Sequence, residues 1–325
     1  MYIYITRRIP EIGIKMLEKQ GWNIYIHPGE LPPHREKLLE KVKGADAILS
    51  LLTDKIDAEV FDAAGENLKV VANYAVGYDN IDVKEATRRK VVVTNTPGVL
   101  TDTTADFGWT LLMATARRVV EADKYARSGK WKTWGPTLLL GSDVYGKTLG
   151  IIGFGRIGKT IAKRAKGFDM KVLYFDPIRA DETTEKQLNA KQVDLTTLLK
   201  ESDFVIICAK LTHENKHLIN REAFRLMKNS AYIINIARGP IIDEEALVWA
   251  LKNGEIKGAG LDVFENEPNI HPELIKLENV VLTPHIGSAS VETRNKMAQM
   301  AAQSIIDVLT GKIPTNIVNP EVINQ

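Results

Sequence analysis

Short runs dominated by β-branched, aromatic and other apolar residues recur along the chain, separated by stretches whose apolar positions follow helical spacing. Residues 2–5, 23–26, 45–52, 68–74 and 91–94 form a first set of strand-like runs, with helical pieces such as 33–43 between them. Residues 101–118 then read as one long helix, opening on the cap-type Thr101 and Asp102 and carrying Phe107, Leu111 and Leu112 at helical spacing. After a stretch with Trp131, Trp134, Gly135 and Pro136, a second set follows at 148–152, 171–175, 203–209, 231–236, 258–263 and 279–283. A last helix over 290–309 is closed by Gly311, with Pro314 beyond it. Strands alternating with helices in this way predict an α/β protein of doubly wound parallel sheets, helices covering both faces.

The chain has 325 residues, more than one hydrophobic core usually serves, so two domains are expected. An apolar share of 44% beside 26% charged residues fits a folded, soluble protein with little room for disorder. Net charge is +2, and the basic residues are interleaved with acids, so neither a nucleic acid nor a membrane is expected as partner. Pairs such as Arg7-Arg8, Arg88-Arg89 and Arg117-Arg118 read as solvated helix or turn faces. One cysteine, Cys208, excludes an internal disulfide and a cysteine-rich metal site, and its place in an apolar run makes it a buried bystander. A chain that opens directly on a strand-like run, with no signal-type segment and no apolar stretch near the ~20 residues that span a bilayer, is expected in the cytoplasm.

Candidate chemistry sharpens the picture at the second set of strands. In Gly150-Ile151-Ile152-Gly153-Phe154-Gly155-Arg156-Ile157-Gly158 a strand leads through a glycine turn into a helix. Gly153 permits the tight turn, Gly155 lets the backbone approach a pyrophosphate, and Gly158 lets helix and strand pack closely, while the helix start offers free amides. Eighteen residues beyond Gly158 the next strand ends in Asp176, placed to accept hydrogen bonds from an adenosine ribose; its alternative is a turn aspartate before Pro177. A carboxylate there repels a 2′-phosphate and favours NAD over NADP, although Arg179 lies close by.

Three later strands of this set end in Arg238, Glu267 and His285. Together they could reduce a 2-oxo acid: Arg238 gripping the carboxylate and polarising the keto oxygen, His285 handing over a proton, Glu267 holding the imidazole. Each also has a plainer reading, as surface cation, solvated acid or turn histidine, and only their common placement after strands favours the chemical one. His27, His34, His213, His217 and His271 read as surface or structural residues, and no metal site is expected.

At these residues, and at Asn73-Tyr74-Ala75-Val76-Gly77-Tyr78-Asp79-Asn80-Ile81-Asp82, 101–108 and 283–289, the sequence resembles the D-isomer-specific 2-hydroxyacid dehydrogenases, and within them the glyoxylate and hydroxypyruvate reductases. The resemblance covers nearly the whole chain. It implies a flavodoxin-like substrate domain from residues 1–99 and 287–325 and a Rossmann NAD-binding domain from 100–286. It further implies that the amides of Val76 and Gly77, with Arg238 and His285, bind the substrate. Thr104, Gly153, Phe154, Gly155, Arg156, Ile157, Gly158, Asp176, Ile236, Ala237, Arg238, Asp262, His285 and Gly287 would contact the cofactor. Glu267 would be the partner of an acid/base His285. A homodimer is also implied, with Trp134 either reaching the partner's active site or anchored on its own subunit.

Departures from neighbouring branches narrow this. Phosphite dehydrogenases carry a lysine where this chain has Val76, and formate dehydrogenases a glutamine at the position of Glu267. Many phosphoglycerate dehydrogenases add a regulatory domain after the last helix, and relatives often have proline where Lys210 stands. The alternatives are a 2-ketogluconate or D-lactate type reductase, a D-3-phosphoglycerate dehydrogenase or phosphite dehydrogenase-like enzyme and, from another class, a nucleotide-sensing corepressor sharing the fold.

Overall fold

The computed structural model describes residues 1–324 and divides into two units, one built from Met1–Leu100 with the segment from Ala289 onward, the other from Thr101–Ser288. Unit 1 opens with β1 (Tyr2–Ile5), α1 (Glu11–Glu18), β2 (Asn23–Ile26), α2 (Arg35–Lys41) and β3 (Ala47–Ser50). It continues with α3 (Ala58–Ala64), β4 (Val70–Asn73), α4 (Val83–Arg88) and β5 (Val92–Thr94). All five strands are parallel in the order β2-β1-β3-β4-β5, the flavodoxin-like arrangement. Every residue of β3, β4 and β5 is buried, which is why these strands read as unbroken apolar runs and not as alternating ones. Asp57 and Asp82 start α3 and α4 by accepting the amides of Val60 and Glu85.

Unit 2 begins with α5 (Thr101–Ala116) and α6 (Val119–Arg127), then β6 (Thr148–Ile152), α7 (Arg156–Ala165), β7 (Lys171–Phe175), α8 (Glu182–Leu188) and β8 (Ala190–Gln192). Next come α9 (Leu195–Glu201), β9 (Phe204–Ile207), α10 (Arg221–Leu226), β10 (Tyr232–Asn235), α11 (Glu244–Asn253), β11 (Gly258–Leu261), α12 (Pro272–Ile275) and β12 (Val280–Leu282). The seven parallel strands run β12-β11-β10-β9-β6-β7-β8, a Rossmann order whose direction reverses at β6. Apolar clusters fill both faces of this sheet. α5 lies so close to it that a Cβ on Gly108 would come within 2.9 Å of Ile206 and 3.0 Å of Ile236.

The chain then returns to unit 1 as α13 (Val291–Leu309), started by Ser290 accepting the Thr293 amide. α13 packs on α1 with backbone nearly touching: a Cβ on Gly13 would stand 2.7 Å from the Ala298 carbonyl oxygen. The Tyr74 hydroxyl donates to the Arg294 carbonyl at 2.8 Å, and the tail beyond α13 pairs with the edge of β5 through Val318 to Val93 at 2.8 Å.

The helix expected over 101–118 is α5, which ends at Ala116; Arg118 then takes a left-handed backbone (φ 54°) and turns the chain into α6, a helix not foreseen. β8 went unforeseen. Among the described residues no helix is long and apolar enough to cross a membrane.

Candidate active site

β6 delivers the chain to Gly153, whose φ of 91° and whose closeness to the Ala209 backbone (2.5 Å from a built Cβ) admit no side chain. A Cβ on Gly158 would meet the Gly153 carbonyl at 2.2 Å, whereas nothing lies within 4 Å of one on Gly155. That open side faces the start of α7, which no side chain caps; among the described residues the amides of Gly155, Arg156 and Ile157 have no protein acceptor. Uncapped amides, helix-start potential and room beside Gly155 form a cradle that fits a diphosphate. Phe154 contributes differently. Its ring is buried, stacked on Tyr174 at 3.9 Å, and its amide donates to Asp176 at 2.7 Å. Asp176 therefore stands at the end of β7 tied to the glycine turn itself, its other oxygen accepting the Ile178 amide at 2.9 Å. Each carboxylate oxygen keeps a further lone pair for a ribose hydroxyl.

At the same carboxyl edge, three loops follow β10, β11 and β12. After β10, buried Asn235 accepts the Ala237 amide and donates to the Arg238 carbonyl, both at 3.0 Å, closing a tight loop around Ile236 and Ala237. Gly239 then passes the next loop at such close range that a Cβ would lie 1.9 Å from the Phe264 carbonyl carbon. This contact brings Arg238 beside the loop that carries Glu267. Glu267 accepts the Phe264 amide at 3.0 Å on one oxygen, and its other oxygen lies 2.8 Å from His285 Nδ1. Burial pushes the Glu267 carboxyl up, but the hydrogen bond and charge of His285, the Phe264 amide and the charge of Arg238 outweigh it, so its pKa falls below the usual range.

His285 has a left-handed backbone (φ 54°), a conformation costly for a residue with a Cβ. Asp262, at the end of β11 and almost fully buried, holds it there. One Asp262 oxygen accepts the Thr283 hydroxyl (2.7 Å) and the Ile286 amide (2.8 Å), the other the Gly287 amide (2.8 Å), and its carbonyl accepts the His285 amide at 2.9 Å. Burial leaves the Asp262 pKa raised despite these donors. Thr104 of α5 packs against this turn, its methyl 3.6 Å from where a Gly287 Cβ would stand.

In unit 1 the loop after β4 carries Val76 and Gly77. Asn95 donates to the Val76 carbonyl and Asn73 to the Gly77 carbonyl, each at 2.8 Å, and Asn80 joins Asn73 to the carbonyls of Leu51 and Asp54. With the carbonyls restrained, the Val76 and Gly77 amides have no acceptor among the described residues.

Sequence reasoning gave Asp262 and Gly287 to the cofactor and missed that they clamp the histidine turn; it also missed Asn235, Gly239, Asn73, Asn80 and Asn95. Asparagine or aspartate closing a strand just before a glycine-containing turn was the available signal. Of the remaining histidines, His217 pairs with Glu265 at 2.5 Å and His271 with Glu245 at 2.9 Å. Burial pushes the Cys208 thiol up, away from nucleophilic character. Lys210 is exposed, its carbonyl accepting from Asn215.

Residues 109–287 match the family model described as "D-isomer specific 2-hydroxyacid dehydrogenase, NAD binding domain". The chain is 56% identical over 99% of its length to a glyoxylate reductase of Korarchaeum cryptofilum, covering 96% of that protein. It is 55% identical, again over 99%, to a glyoxylate reductase of Thermococcus onnurineus, covering 97% of it. Among solved structures, the TT0316 protein from Thermus thermophilus superposes with a TM-score of 0.93 at 45% identity, over 98% of this chain and 100% of that one.

Proposed function

Since this chain belongs to the D-isomer-specific 2-hydroxyacid dehydrogenase family, and is thus an oxidoreductase of small 2-hydroxy and 2-oxo acids using a nicotinamide cofactor, we propose that it reduces glyoxylate or hydroxypyruvate with NADH. The observation that carries this reading is the Glu267–His285 pair, 2.8 Å apart and within the field of Arg238, at the edge where the glycine turn emerges. Gly155, Arg156 and Ile157 would hold the diphosphate of the cofactor and Asp176 its ribose; Thr104, Phe154, Ile236, Ala237, Asp262 and Gly287 shape that surface. When bound, a reduced nicotinamide supplies the hydride that adds to the substrate's carbonyl carbon.

The protein's own groups do the rest. His285 Nε2 gives its proton to the carbonyl oxygen as that oxygen becomes an alcohol, and takes it back in the oxidative direction. Glu267, ionised across the neutral range, fixes the ring through Nδ1 and balances the imidazolium charge. Arg238 grips the carboxylate and draws electron density from the carbonyl. On unit 1 the amides of Val76 and Gly77 are the proposed carboxylate donors. For NADH over NADPH the support is Asp176, whose charge opposes a 2′-phosphate.

The active form is proposed to be a homodimer. Val119, Val120, Trp131, Trp134, Leu138, Leu140 and Tyr145 are all exposed between residues 119 and 145, Trp134 at 77%, and exposed apolar groups gathered on one segment are what association would cover. A groove of about 890 Å³ adjoins them at the amino edge of the sheet, away from His285, lined by Val120, Leu140, Tyr232 and Ile275 and by charged groups such as Glu121, Lys124 and Lys257. A second copy of the chain is its proposed occupant, with Trp134 reaching across.

Purified protein mixed with NADH or NADPH and a panel of 2-oxo acids tests the activity. Glyoxylate or hydroxypyruvate should be turned over fastest; preference for a bulkier acid would replace the substrate, and tight NADH binding without any turnover would point to a sensor.

A further inference from the structure

Arg179 follows Asp176 by three residues, the place from which a guanidinium could grip a 2′-phosphate and undo the preference set by Asp176. In this structure it is turned elsewhere. Its Nε and one terminal nitrogen donate to the two oxygens of Glu185 on α8 at 3.2 and 2.9 Å. Glu185 is in turn fixed from the interior, because the hydroxyl of fully buried Tyr174 donates to it at 2.6 Å. The ring of Tyr174 is stacked on Phe154 of the glycine turn, and its hydroxyl accepts the Ala180 amide at 3.0 Å. Arg179 and Tyr174 together hold the Glu185 carboxyl at about 2, so it is ionised under all working conditions.

We infer that Glu185 is a specificity-determining residue: by engaging the Nε-side fork of Arg179 it holds that cation away from a 2′-phosphate. Asp176 repels the phosphate, and Glu185 removes a neighbouring group that would attract it. This inference rests on the NADH reading above and assigns the discrimination to two carboxylates, the second acting through Arg179. Two geometric facts support it beyond proximity. The pair is forked, which fixes the guanidinium plane as well as its position. The acid is anchored to the core through Tyr174, so the arginine must come to Glu185 and not the reverse.

The test compares wild type, Glu185→Gln, Arg179→Ala and the double variant. Glutamine keeps an oxygen for the Tyr174 hydroxyl and so preserves the buried contact while removing the charge. Binding of 2′,5′-ADP and of 5′-AMP is measured by calorimetry, independently of turnover, and kcat/KM for NADPH and NADH is measured alongside. Glu185→Gln should tighten 2′,5′-ADP and improve NADPH by about tenfold while 5′-AMP and NADH stay within about twofold, since an arginine–phosphate bond is charge-assisted. The gain should vanish in the double variant, and Arg179→Ala alone should change neither ligand. Unaltered 2′,5′-ADP binding in Glu185→Gln, or weakened binding in Arg179→Ala alone, overturns the role of Glu185. Wild type binding 2′,5′-ADP as tightly as 5′-AMP overturns the NADH reading instead, and the two failures are thereby distinguished.

Discussion

At the scale of single residues, the proton-transfer pair concentrates both chemistry and strain. His285→Ala is expected to lower kcat by at least about 10²-fold, with NADH binding measured by fluorescence little changed; near-normal turnover would remove the histidine from the mechanism. Its left-handed backbone adds a second expectation. Of two truncations that both lack the imidazole, His285→Gly should be sturdier than His285→Ala by about 1 kcal/mol in denaturant melts, because glycine adopts that conformation without a Cβ penalty. Glu267 makes a pH prediction. Its pKa is lower in the folded protein than in the unfolded chain, so its contribution is fully present above the ordinary carboxylate value and drains away as pH falls through the folded one. Thermal melts taken from neutral pH down toward 4 should therefore drop less steeply for Glu267→Gln than for wild type. Identical slopes would mean that the His285 contact stabilises nothing.

Among elements, the close crossing of the loops after β10 and β11 is what aligns Arg238 with Glu267. Gly239→Ala would drive a methyl into the Phe264–Glu265 backbone, and it should cost about 2 kcal/mol or more of stability and lower kcat further than it weakens NADH binding. A variant with wild-type melting and turnover would show that the loops can part harmlessly. The strands of both sheets were legible because parallel strands covered on both faces must be apolar at successive positions, as Val205, Ile206 and Ile207 are. β8 carries no such signature: Ala-Lys-Gln at a sheet edge, with Lys191 exposed, looks like a loop. The helix end near Arg118 was legible, but α6 beyond it was not, since the left-handed turn between the two is made by an ordinary residue held through Glu121 and not by a glycine. For the candidate site, residue types at strand ends named the chemical groups, but pairing them required distances between segments far apart in sequence. The clamping role of Asp262 in particular depends on three donors from one turn converging on a single carboxylate.

For the molecule as a whole, self-association is the proposal most open to direct measurement. Sedimentation should give a dimer, and Val120→Glu with Leu140→Glu should weaken it by at least about tenfold in Kd, since each replaces an exposed apolar side chain by a carboxylate that the contact must desolvate. An unchanged dimer would place the interface elsewhere. Unit 1 has its own whole-chain property: α13 lies against α1 at backbone distance, and the segment after it pairs with the edge of β5. On the ribosome, the first hundred residues thus emerge long before the piece that completes their fold. At about 5–20 residues per second, synthesis of the intervening unit keeps them waiting for roughly ten to forty seconds. Throughout that interval the face awaiting α13 is bare, so newborn chains are most exposed to aggregation and to chaperones while the Rossmann unit is already able to fold behind them.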